Sequence, residues 1–159
     1  MSTSDLMTTW AEHAASIDRL LPLARHSIAI FDRDLSSFAL EKPDRHDVLV
    51  HFLRNTPGAS LRIAVQNAEP IRQHAPRLMQ MLRLFAHSFH LMEAPPHLAN
   101  LSDSMLLIDD DKALVRFHGD HARCREFIGE AEACQPYRKR FEEIWNDGCT
   151  PVSATTIGL

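Results

Sequence analysis

Short β-prone runs that alternate with segments of helical period constrain this chain most. That order leaves few ways to bury both kinds of apolar surface. Trp10, Ala14, Ile17, Leu20 and Leu21 recur at helical spacing over residues 8–24, and Pro22 ends or kinks that helix near its last turn. "HSIAIFDRDL" then gives a strand over Ser27–Phe31, stopped by Asp-Arg-Asp. "KPDRHDVLVHFLRNTPG" supplies a second helix, with Asp44 as its expected cap, an apolar stripe at Val48, Leu49, Phe52 and Leu53, and Pro57-Gly58 as its stop. In "ASLRIAVQN", Leu61, Ile63 and Val65 alternate as in a strand. "APRLMQMLRLFAH" predicts a helix with Leu78, Met79, Leu82, Phe85 and Ala86 on one face and Pro76 in its first turn.

The second half changes character. "SFHLMEAPP" reads as a third strand closed by Pro95-Pro96, and "SMLLIDDDKALVRF" as a hairpin of two apolar runs around three aspartates. A weak further strand precedes the last helix, where Tyr137, Phe141, Ile144 and Trp145 fall at i, i+4, i+7 and i+8. Strands alternating with helices, then a hairpin, predict an α/β sandwich with a mixed sheet. At 159 residues the expectation is one domain over 1–148, followed by a loosely held polar tail over 149–159.

Composition narrows the function classes. An apolar share of 45% with 24% charged residues belongs to a globular protein. A net charge of −4 argues against broad nucleic-acid binding, which shows as a basic excess. No apolar run is long enough for a membrane span, and the start lacks the pattern of a secretory signal, so no membrane association is expected. Cys124, Cys134 and Cys149 are odd in number and form no CxxC pair, which favours incidental thiols and a reducing cytoplasm. Glycine-rich phosphate loops, a GxSxG elbow, HExxH and zinc-finger spacings are all missing, so no cofactor or metal is expected.

Three clusters are left as candidate chemistry. Asp109, Asp110 and Asp111 could ligate a metal, but successive residues in an extended chain point to opposite faces and aspartate favours turns. "HGDH" places His118 and His121 around an acid, which could serve zinc or general-base chemistry, although Gly-Asp is also an ordinary turn pair. His87 and His90 flank a strand start, and "YRKRF" reads as a solvated helix face.

"SDSMLLIDDDKALVRFHGD" resembles the hairpin of phospholipase D-like proteins, written "HxKxLLIDDxxALVGSxN". With Asp109 as the motif's aspartate, its lysine position falls on Ser104 and its histidine position on Ser102. Arg116 and Phe117 stand where the family has Gly-Ser. The frame over roughly 18–147 is also similar: "LARHSIAIFDRDL" to the family's first strand, "GASLRIAVQN" to its second, and "FEEIWND" to its closing helix. More narrowly, the chain resembles an uncharacterised bacterial family of phospholipase D-like domains that begin "SIxIFxRDL". Some of those domains are fused to acetyltransferases, for which this chain is expected to have no room.

The resemblance implies a single phospholipase D-like α/β/α sandwich with a mixed sheet. It also implies a homodimer, because one motif copy is half of a two-fold unit. In the active superfamily a histidine attacks phosphorus and lysines hold the phosphate charge. Serines at 102 and 104 supply neither group, which implies a degenerate cleft of Ser102, Ser104, Asp109 and Arg116. The expected function is therefore non-catalytic, in binding or assembly, with a protein partner open. A repurposed phosphodiesterase or nuclease would use His118 or His121 with Asp109, and Arg116 as anion holder. An anion or nucleic-acid module would need Arg72, Arg77, Arg83, Arg138 and Arg140 on one face.

Overall fold

A computed structural model describes residues 6–118 and 120–153. Its elements in chain order are β1 (Leu6–Met7), α1 (Trp10–Leu20), β2 (Ser27–Asp32), α2 (Pro43–Asn55), β3 (Ser60–Val65), α3 (Glu69–His74), α4 (Pro76–Leu84), β4 (Phe89–Glu93), β5 (Ser104–Ile108), β6 (Lys112–Arg116), β7 (Cys124–Ile128), α5 (Ala131–Trp145) and β8 (Thr150–Pro151). The strands form one mixed sheet in the order β1-β7-β6-β5-β2-β3-β4-β8. β2, β3 and β4 run parallel, while β5, β6 and β7 form an antiparallel meander joined to β2.

Alternation along the strands divides the core into two layers. Ile28, Ile30, Leu61, Ile63, Leu106, Ile108 and Leu114 face one side, where they pack with Ile17 and Leu20 of α1, Leu49 of α2 and Leu78 and Met81 of α4. Ala29, Phe31, Ala64, Met105, Leu107, Ala113 and Val115 face the other, which Cys134, Phe141 and Ile144 of α5 cover. This is the α/β sandwich with a mixed sheet that the pattern of runs predicts.

Local differences have physical causes. α2 begins with Pro43 after Lys42 and has no side-chain cap, so Asp44 sits inside the first turn, beside the positive end of the helix dipole. The segment before α4 adds the short helix α3, because Pro70 and Pro76 each suit a helix start. The polar stretch after residue 148 is held as far as Ser153. Thr150–Pro151 pairs with β4, and Val152 is buried while donating its N–H to the Leu91 carbonyl at 2.8 Å. Residues 154–159 of the expected tail lie outside the described residues.

Candidate functional site

In open α/β sheets, sites form beyond the C-terminal ends of the parallel strands. Asp32 is the last residue of β2. β5 runs antiparallel to β2 with Phe31 opposite Met105, which brings Ser104 to the same end, and Ser104 pairs in turn with Arg116 at the end of β6. All three share the parity of Ile30, Leu106 and Leu114, so their side chains rise from neighbouring strands on the α1 side. The capping box of Thr9 and Glu12 starts α1 above this row, and it sets Trp10 and His13 over the strand ends.

The row is a buried polar network. Ser104 Oγ donates to Asp32 Oδ1 at 2.7 Å, and Arg116 Nη2 donates to the same oxygen at 2.9 Å. Arg116 Nη1 reaches Ser37 Oγ at 3.1 Å. Asp32 Oδ2 accepts the Leu35 N–H at 2.8 Å, which steadies a loop where Leu35 and Ala39 take φ values of 70° and 45°. The Trp10 ring lies 5.1 Å from the Arg116 guanidinium carbon. Asp32, Ser104 and Arg116 are each no more than 3% exposed, and Arg116 Nε has no hydrogen-bond partner among the described residues. In front of them lies a cavity of about 440 Å³, walled by Trp10, Arg33, Asp34, Ser36 and Asp120.

His13 is buried between the Trp10 and Phe38 rings, and its Nε2 lacks a partner among the described residues. Burial, reinforced by the Arg116 and Arg45 guanidiniums and opposed by Asp32, lowers its pKa from 6.5 to about 4. Between those values the unfolded chain binds a proton that the folded chain excludes. The contribution of His13 to stability is therefore whole above pH 6.5 and lost as pH falls toward 4, an amount of about 3 kcal/mol. Urea unfolding across pH 4–7 is expected to show a shallower loss of stability toward acid for His13→Phe than for the parent. Parallel curves would refute this role.

The residues singled out in the sequence do not all converge. Ser104 is packed rather than lining an open cleft, while Ser102 lies partly exposed in the loop before β5. Arg116 belongs to the site, but its charge is met by Asp32. Asp109 lies at the far end of the hairpin, in the turn between β5 and β6. There its carboxylate accepts the N–H groups of Arg25, His26 and Ser27 at 2.8–3.2 Å. Asp110 faces Arg138 at 3.3 Å, and Lys112 lies 2.9 Å from Asp111 and 3.8 Å from Asp109, so the triple aspartate is a turn tied down by backbone N–H groups and side-chain cations.

His118 and His121 follow β6 at the cleft end, with ring centroids 5.0 Å apart. The four residue steps of β6 alone separate that end from the Asp109 turn by about 13 Å. Asp109 and the two histidines therefore do not form an acid–base pair. Among the described residues no group of three or more histidines, cysteines or carboxylates is placed to hold a metal ion.

The five arginines do not share a face either. α3 and α4, with Arg72, Arg77 and Arg83, pack on one side of the sheet; α5, with Arg138 and Arg140, packs on the other. Arg140 is held by Asp103 at 2.7 and 2.9 Å. Burial pushes the Cys124 and Cys134 thiols up to about 11, which leaves them poor nucleophiles. Asp32, Ser37, Trp10 and His13 complete the site without any motif that marks them in the sequence. An acid that closes the apolar run Ile28–Phe31 is the available signal for Asp32.

This architecture is that of the phospholipase D-like fold. Nuc from Salmonella typhimurium, a phospholipase D family member, aligns with a TM-score of 0.64 at 10% identity over 96% of this chain and 99% of its own. Phosphatidylserine synthase from Haemophilus influenzae aligns at 0.67 and 12% identity, over 98% of this chain and 40% of its own. TrmBL2, an archaeal chromatin protein with a novel mode of DNA binding, aligns at 0.69 and 14% identity over 94% of this chain. The chain spans about half of TrmBL2, 54% of its length. No curated protein sequence matches. The chain belongs to the family described as a domain of unknown function, DUF7931, which matches residues 9–153.

Proposed function

We propose that this chain is a non-catalytic phospholipase D-like module that works by binding or assembly, as a homodimer. The observation that carries this reading is the state of Ser104. It stands where the phospholipase D-like motif has its lysine, it is 1% exposed, and its hydroxyl is committed to Asp32. Arg116, in place of a glycine, fills the space beside it and is itself neutralised by Asp32. At these two motif positions neither a nucleophile nor a spare cation stands to attack phosphorus or hold its charge. The exposed Trp10 and Phe117 at the same end offer an apolar rim for a second copy.

Two measurements test the reading. Hydrolysis of bis-nitrophenyl phosphate, with and without divalent metal, is expected to stay at the background rate. Turnover that disappears in His118→Ala or His121→Ala would overturn the non-catalytic assignment. Sedimentation is expected to show a dimer at micromolar concentration, and a pure monomer would remove the assembly part. The likeness to TrmBL2 favours a second reading, nucleic-acid binding. The division of the arginines between two faces of the sheet weighs against it, and binding that weakens steeply with salt would restore it.

A further inference from the structure

A groove of about 740 Å³ lies at the opposite end of the parallel strands from the Asp32 cleft, beside the start of β3 and β4. Its volume is in the range of small-molecule sites. Its apolar floor passes round the edge of β4: Leu82, Phe89, Leu91 and Val152, almost closed to solvent, form its base on the α4 face, and the more accessible Ala86, Pro151, Met92 and Trp145 line it, the last two from the α5 face. The rim carries Arg62, Arg83 and His90, and among the described residues no carboxylate lines the groove. Arg62 is spent: it is bonded to Glu142 and stacked on the Phe141 and Trp145 rings at 5.0 and 5.4 Å. Arg83 and His90 are exposed and make no ion pair among the described residues.

An apolar trough with the uncommitted guanidinium of Arg83 on its rim, and no carboxylate among its described lining residues, selects by charge as well as by shape. We propose that the groove binds a monomeric aliphatic carboxylate, its chain along the floor beside Trp145 and its head at Arg83. An alkyl chain gains by leaving water for the floor. The carboxylate gains a charge-assisted hydrogen bond to a guanidinium that makes no ion pair among the described residues. A cationic head on the same chain would gain only the first.

The test titrates the isotope-labelled protein with dodecanoate kept monomeric, and separately with dodecyltrimethylammonium and with acetate, following backbone amide resonances. Dodecanoate is expected to shift Phe89–Met92 and Val152 saturably. The ammonium amphiphile should bind at least about tenfold more weakly, and acetate should cause no saturable shift. Arg83→Glu, which reverses the rim charge, and Ala86→Trp, which fills the groove, should each weaken dodecanoate by about tenfold or more. Both positions are exposed, so the spectrum of the folded chain should survive either change. The proposal is overturned by absent saturation, by equal binding of the two amphiphiles, or by shifts centred on Asp32–Ser37. Binding that appears only in a chain ended at Ser153 would overturn it too, by assigning the groove to the residues that follow.

Discussion

Arg116→Met is expected to lower the unfolding free energy by about 3–5 kcal/mol, the cost of leaving one partner of a buried ion pair alone. The reason is the isolation of Asp32. Its Oδ1 would keep only the Ser104 hydroxyl, and its 2% exposure leaves no solvent to replace the guanidinium. The methionine would fit the stem's path beneath Trp10 but bring no donor. Asp32→Asn added to Arg116→Met should recover much of the loss, because removing both charges also removes the desolvation that each imposes. A coupling of about 2 kcal/mol or more in this double-mutant cycle is the signature, read from urea midpoints at constant slope. Additive losses would show that the pair does not act as a unit.

Asp109→Ala is expected to cost about 2–4 kcal/mol, although its residue lies far from the cleft. Its carboxylate collects three successive backbone N–H groups where the chain enters β2. Alanine would leave the partly buried Ser27 N–H without its acceptor and hand those of the exposed Arg25 and His26 to water. It would also have to hold φ near 53°, a left-handed value that aspartate tolerates better than alanine does. Asp109→Asn should lose less, because its side-chain carbonyl still accepts. Equal losses for the two variants would mean that the N–H groups contribute nothing.

These two residues mark how far the sequence could be read. The sandwich was legible because Leu61, Ile63 and Val65 announce a strand, and Phe141, Ile144 and Trp145 a helix, by local period alone. The hairpin was legible through its apolar runs and its aspartate turn. The site was legible only in outline. Ser104 and Arg116 could be placed at an ancestral cleft by the spacing of one motif. That Arg116 would be neutralised by Asp32 depends on the register of β2 against β5 and of β5 against β6, which no local period encodes. The role of Asp109 was hidden for the same reason: the donors it serves lie more than 80 residues earlier in the chain.

β2 is the seam of the sheet, bordered on one side by β3, which follows soon after, and on the other by β5, which comes much later. During synthesis the parallel half can assemble while the outer edge of β2, with Ile28, Ala29, Ile30 and Phe31, still has no neighbour. At ordinary elongation rates that edge waits on the order of several seconds for the Ser104–Ile108 segment to emerge. Throughout that interval the nascent chain offers other polypeptides an apolar template strand, which the finished protein hides completely.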